Sequence, residues 1–235
     1  MKKIIAVLLS VILFNCEDKK STPIKTEIPT QNQVEKDSIE DIKTDTKQEN
    51  KYPVLTDKNA MEFFLEYDKI HKENKVRIVT DFGNIDILLY NNTKFHRSNF
   101  IFLTKQNYFN KTQFYRIIDN FMIQAGNSDD IETAIKRRKI GKYLLPTDTK
   151  KGYKHDRGVI SMPSSEIDNP HKLASPYEFF IVQQKGGAYY LDGDYTIFGR
   201  VINGMTTVDK IAAQPRDNSD WPLKNIYINH VEILE

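Results

Sequence analysis

FYRIIDNFMIQAGN, residues 114–127, is the stretch from which the fold of this chain is read. Two runs rich in β-branched and aromatic residues, FYRII and FMIQAG, flank the turn pair Asp119-Asn120, so the stretch predicts two antiparallel strands. Side chains alternate between the faces of a strand. Arg116 stands two residues after Phe114, and Gln124 two after Met122, so each pair is expected to project from one face. A cation, an amide and an apolar wall would then converge on one surface.

Outward from that hairpin the pattern stays β-rich. VRIVT and NIDILLY flank a turn containing Gly83, and GVISM (158–162), EFFIV (178–182), a run through TIFGRVI and INHVEIL (228–234) follow with turn residues between them. Helical stretches are predicted at about 95–106 and 204–213. Many short strands with two helices fit a closed antiparallel barrel whose ends the helices cover, an arrangement that removes sheet edges. Periodicity alone leaves the number of strands open. Ahead of the barrel, Ala60, Phe64, Tyr67 and His71 recur at helical spacing, which predicts a further helix at about 57–73 with Thr56 or Asp57 as N-cap. A short exposed helix is marginal alone, so its apolar stripe is expected to pack on the barrel.

A chain of 235 residues with 39% hydrophobic content can bury one good core and is short for two full domains. The net charge of +2 comes from interspersed acids and bases, so no global field favours nucleic acid or an anionic surface. KRRK at 136–139 is read as a solvated loop face. The histidines at 71, 96, 155, 171 and 230 show no paired ligand spacing and are read as chance surface residues, and no metal or other cofactor is implied. Ser161 is expected in a barrel strand, with no nucleophile elbow around it.

The N-terminus is organised differently. Residues 1–16 carry a positive start at Lys2 and Lys3, an apolar stretch from Ile4 to Phe14 too short to span a bilayer comfortably, and Cys16, the only cysteine. They resemble a bacterial lipoprotein signal, with cleavage before Cys16 and lipidation of its thiol, although Asn15 is not the small residue usual before the cut. Residues 17–52 are expected to be a disordered tether, because Glu17–Lys51 is nearly half charged, holds no aromatic residue and cannot bury enough surface to offset its chain entropy. Residues 53–74 form the helical extension and 75–235 the folded domain. The implied location is the bacterial cell envelope, lipid-anchored to a membrane and facing outside the cytoplasm.

From 114–127 the resemblance is to the cyclophilins, the barrel-shaped peptidyl-prolyl cis/trans isomerases, and it covers roughly 75–235. TDFGNIDILLY (80–90) is similar to the family's opening hairpin, NNTKFHRSNFIFL (91–103) to its first helix with Asn99-Phe100 as its paired residues, and YLDGDYTIFGRVINGM (190–205) to its later segments. The resemblance implies eight strands and proline-containing polypeptides as substrate; the domain is read as a monomer. It makes Arg116 the donor to the proline nitrogen, with Gln124 fixing that arginine. It also puts Phe121, Met122, Phe180 and Leu191 around the proline ring, Phe179 in the core, and Ser164 beside the peptide backbone. Tyr190 stands where the best-known members have tryptophan, Tyr195 where they have histidine, and Glu178 where they have glutamine. Tyr190 can still form a wall and Tyr195 can still donate a hydrogen bond to the substrate carbonyl, whereas loss of the indole donor is expected to weaken cyclosporin binding. Glu178 either adds an acidic rim or forms an ion pair. The alternative function is a catalytically weak peptide-binding chaperone or scaffold, which would have no need of the arginine and glutamine together.

Overall fold

The computed structural model describes residues 52–164 and 169–235. The expected signal, Cys16 and the tether up to Lys51 lie outside the described residues. In chain order the elements are β1 (Leu55–Thr56), α1 (Ala60–Ile70), β2 (Lys75–Thr80), β3 (Gly83–Leu89), α2 (Lys94–Lys105), β4 (Gln113–Ile118), β5 (Met122–Asn127), α3 (Ile131–Ile140), β6 (Gly141–Lys142), β7 (Val159–Ser161), β8 (Phe179–Val182), β9 (Ile197–Asn203), α4 (Met205–Ala212) and β10 (Ile228–Leu234). A 3-10 turn at Tyr189–Leu191 precedes β9.

Eight strands form one antiparallel sheet in the order β10-β2-β3-β9-β7-β8-β5-β4. Strict alternation in β2, with Val76, Ile78 and Thr80 turned inward, shows why the pattern is legible there. Val76, Ile78, Ile85, Ile87, Ile117, Ile123 and Phe179 meet Phe100 of α2 and Val208 and Ile211 of α4 in the main core. A smaller cluster of Met122, Phe180, Val182 and Ile197 is separate from it.

The barrel expected to close does not close. Its end strands, β4 and β10, do not pair: Gln113 of β4 makes one isolated bridge to Tyr227, just before β10, together with backbone hydrogen bonds such as Phe114 N–H to the Ile226 carbonyl at 2.8 Å. Further along β4, the Ile117 N–H donates to the carbonyl of Asp220 at 3.0 Å, so a loop and not a strand covers that edge. Between α4 and β10 the chain folds back on itself, Arg216 bridging Pro222 and not β4. The result, among the described residues, is an eight-stranded half-barrel with four α-helices.

The fourth helix is α3, which the expected loop at KRRK concealed. Asp130 caps it, its carboxylate accepting from the Thr133 N–H at 2.8 Å, and Arg137, Arg138 and Lys139 fall in its last turn, where the helix dipole favours cations. Arg137 is only partly solvated and donates to the Tyr108 hydroxyl at 2.8 Å.

The N-terminal helix docks as expected but is shorter, and its N-cap is Asn59 in place of Thr56 or Asp57. The Asn59 side chain turns back to accept from the Thr56 N–H at 2.7 Å, which leaves it unavailable to the helix. Phe63, Phe64 and Tyr67 of α1 pack with Tyr52 around Phe102 of α2, at ring separations of 5.1 to 5.9 Å. Beneath them Arg97, 2% exposed, pairs with Asp68, which also accepts from Ser98 at 3.2 Å. β1 adds a parallel bridge to β6, Leu55 opposite Gly141. At Gly141, with φ +134°, a Cβ would lie 1.9 Å from the Leu55 carbonyl oxygen, so only glycine admits this approach.

Candidate active site

The hairpin is where the expected and observed geometry part. Phe114 pairs with Ala125 and Arg116 with Gln124, which leaves Tyr115 as a bulge residue. One extra residue reverses the alternation, so Phe114 and Arg116 do not share a face as expected. Phe114 is fully buried in the core, whereas the Arg116 side chain is 42% exposed on the other side. Met122 and Gln124 do share a face, and the pairing of Gln124 with Phe180 adds β8 to it. Phe179, one residue earlier, points into the main core as expected.

These side chains line a cavity of about 260 Å³. Phe121, Met122, Phe180 and Leu191 supply its apolar walls, and Arg116 and Gln124 its polar edge. Ser164, Pro163 and Tyr195 complete the lining. Tyr195 meets Phe180 edge-on at 5.8 Å. Tyr190 does not line the cavity: it is 65% exposed and packs on the outer side of Phe121 at 5.8 Å. Pro163 joins the lining although no sequence signal marked it out.

Gln124 was expected to fix Arg116, and the bulge changes that partnership. Its Nε2 donates to the hydroxyl of Tyr115, the bulged residue. Arg116 is held by Asp220, from Nη2 to Oδ2 at 3.3 Å. Asp220 has no counterpart in any spacing argument, since it reaches the site from 104 residues away. Of the two expectations for Glu178, the ion pair is observed, with Arg137 at 3.3 Å. Burial, with Glu178 beside it, raises the pKa of the Tyr115 hydroxyl far above its ordinary value, so it stays a neutral partner for Gln124.

Behind Phe180 lies a polar network that the sequence did not reveal. His155, fully buried and not a surface residue as expected, stacks on Phe180 at 6.1 Å with the planes 7° apart. Its Nδ1 lies 2.9 Å from Asp192 Oδ1 and its Nε2 3.3 Å from Ser161 Oγ. Burial pushes the imidazole below its ordinary pKa against the pull of Asp192, which lies next to Leu191 in the cavity wall. Ser161 is a strand residue as expected, and its hydroxyl donates to the Thr196 carbonyl at 2.8 Å. Enclosed and committed to that carbonyl, it is a structural group and no nucleophile. His96 is also buried, against Phe198. Among the described residues, no three His, Cys, Asp or Glu side chains gather as metal ligands would.

A half-barrel with an arginine and a glutamine over an apolar cavity on its outer face defines a class. The model of the cyclophilin type peptidyl-prolyl cis-trans isomerase family matches residues 75–233, and the chain belongs to that family. It is 36% identical over 170 residues to peptidyl-prolyl cis-trans isomerase-like 2 of Rhizopus delemar, a match covering 72% of this chain and 30% of that protein. It is 37% identical over 144 residues to a peptidyl-prolyl cis-trans isomerase of Acinetobacter baylyi, covering 60% of this chain and 72% of that one. The match thus spans under a third of the first relative and most of the second. Among solved structures, a Cryptosporidium parvum cyclophilin crystallised in the presence of the dipeptide Ala-Pro superposes with a TM-score of 0.57 at 28% identity. That match covers 68% of this chain and 99% of the other.

Proposed function

We propose that the domain accelerates cis/trans rotation of X–Pro bonds in polypeptides. The observation that carries this reading is the convergence of Arg116 and Gln124 on the cavity walled by Phe121, Met122, Phe180 and Leu191. Rotation breaks amide resonance against a barrier of about 18–20 kcal/mol and takes roughly tens to hundreds of seconds unaided. No nucleophile, proton transfer or cofactor is required. As the bond twists, the proline nitrogen becomes pyramidal and gains a lone pair. A guanidinium aimed at that nitrogen stabilises the twisted state more than the planar one. The apolar walls take the ring and strip water from the amide, which favours the less polar twisted form. Gln124 orients the peptide backbone, and Tyr195 supplies a donor to the carbonyl before proline.

Substrate class follows from the same cavity, and the Ala-Pro dipeptide named with the Cryptosporidium structure is of the chemistry it would accept. The location belongs to the proposal as well: Lys2, Lys3, the apolar run to Phe14 and the lone Cys16 support a lipid-anchored protein of the bacterial envelope acting on exported or unfolded chains. Replacing Cys16 with serine is expected to abolish incorporation of labelled palmitate and release the protein from the membrane fraction.

The reading is tested by the cis-to-trans relaxation of a short X–Pro peptide with the full chain in mild detergent, beside Arg116→Ala. The parent is expected to accelerate relaxation, and the variant to lose about 10²- to 10³-fold of that acceleration while melting at the same temperature. If the parent does not differ from buffer, the domain is a peptide-binding module without turnover.

A further inference from the structure

The turn from Pro215 to Leu223 reaches the proposed site from outside the barrel sheet, and no part of the mechanism above uses it. It is held by its own hydrogen bonds. The Asp217 N–H donates to the Trp221 carbonyl at 2.8 Å, the Asp217 carboxylate accepts from the N–H groups of Ser219 and Trp221 at 2.8 and 2.9 Å, and Leu223 N–H donates to the Pro215 carbonyl at 2.9 Å. The bond from Ile117 to the Asp220 carbonyl pins it to β4, one residue from Arg116. Asp220 itself has φ +67°, a left-handed conformation that aspartate tolerates better than most residues. Its Oδ2 meets Arg116 Nη2 and its Oδ1 meets Arg216 Nε, each at 3.3 Å. The next residue, Trp221, packs at 5.9 Å on Tyr115, the hydrogen-bond partner of Gln124.

We propose that Asp220 is a positioning residue for the isomerase reaction: it holds Arg116 by one end of its guanidinium while the remaining N–H groups face the cavity. The proposal rests on the function proposed above. A carboxylate beside a catalytic arginine can act in two opposed ways, holding the guanidinium in place or withdrawing it from the substrate. The geometry decides between them. Two other arginines on the surface are gripped more tightly: Arg77 meets Asp86 through Nε and Nη2 at 2.7 and 3.0 Å, and Arg157 Nη2 reaches both carboxylate oxygens of Asp209 at 2.7 Å. Among the described residues Arg116 has a single hydrogen-bond contact, of 3.3 Å through Nη2, which leaves its Nε and Nη1 donors uncommitted there, and its side chain still lines the cavity. An arginine 42% exposed would otherwise spread over many rotamers, and ordering it in advance removes that cost from the twisted state.

The test uses Asp220→Asn in the full chain, because asparagine keeps the shape and tolerates the left-handed backbone. kcat and KM are measured separately by NMR exchange between cis and trans forms of an X–Pro peptide, with Arg116→Ala and the double variant alongside. Asp220→Asn is expected to lower kcat about fivefold with KM within about twofold and an unchanged melting temperature. Acting only through Arg116, it should add nothing in the double variant, which falls to the level of Arg116→Ala. Asp220→Gly, which relieves the positive φ, is expected to lose kcat to the same extent while melting no lower. An Asp220→Asn kcat equal to the parent's overturns the proposal, a higher one shows that the carboxylate restrains the arginine, and a double variant weaker than Arg116→Ala shows a role independent of it. An active parent with an equally active Arg116→Ala overturns the role given to Arg116 itself, an outcome distinct from the failure of Asp220 alone.

Discussion

Replacing Asp68 with alanine removes the carboxylate that pairs with Arg97 between α1 and α2. The Arg97 side chain is 3% exposed and that of Asp68 15%, so the pair is shielded from solvent. Removing one partner of a buried pair costs about 3–5 kcal/mol, because the other charge stays buried and uncompensated. Two features set the expected value at the low end, about 3 kcal/mol: Arg97 Nη1 keeps a contact with the Glu73 carbonyl at 3.5 Å, and Asp68 lies near the surface. Lys72, also paired with Asp68, is 64% exposed and simply returns to water. For a domain of this size each kcal/mol lowers the melting temperature by about 2–4 °C, so a drop of about 6–12 °C is expected in a circular dichroism melt. Asp68→Leu with Arg97→Met removes both charges and should recover most of the loss. The reasoning is refuted if Asp68→Ala costs no more than Glu66→Ala, whose pair with Lys69 lies in solvent at 65% and 66% exposure.

Three further outcomes are expected. Stability should fall with acidity from about pH 6.5 downward, since burial lowers the His96 pKa from 6.5 to about 3 and an unfolded chain binds the proton first. The depressed histidine contributes fully above 6.5 and loses about 1.4 kcal/mol per pH unit as pH falls toward 3, and His155 adds to the same slope. Asp86 and Asp209, held low by hydrogen bonds from Arg77 and Arg157, lose their contribution only below the ordinary carboxylate range, so denaturant midpoints at pH 7.5 and 5 isolate the histidines. An NMR titration in which the His96 ring protonates above pH 5 in the folded state would sink this account. Gly126→Ala should destabilise strongly and disturb the cavity wall, because the added Cβ would lie 2.2 Å from the Tyr177 carbonyl at a φ of +98°; expression and melting of the variant check it. Phe180→Ala should raise KM for X–Pro peptides by removing a cavity wall, and should also cost about 3 kcal/mol of stability, visible as a lower urea midpoint at unchanged slope.

Local periodicity and residue chemistry made part of the fold legible from the amino-acid order alone. Alternation in β2 and the helical spacing of Ala60, Phe64 and Tyr67 are properties of neighbours along the chain, so these elements were legible. The apolar cavity residues and Arg116 were legible too, through the register of a family whose segments recur in order. Tertiary structure decided everything that depends on a partner far along the chain. It inserted the Tyr115 bulge, which reverses the face on which Arg116 stands relative to Phe114. It brought Asp220 to Arg116 and Asp192 to His155, and it buried His96 and His155, which composition presented as surface residues. It left the barrel open where the Pro215–Leu223 turn, and not a strand, takes the edge of β4. The reason is physical: a strand or helix is favoured by residues a few positions apart, whereas a bulge, a buried ion pair or an unclosed edge is settled by which distant groups must satisfy one another once the core has formed.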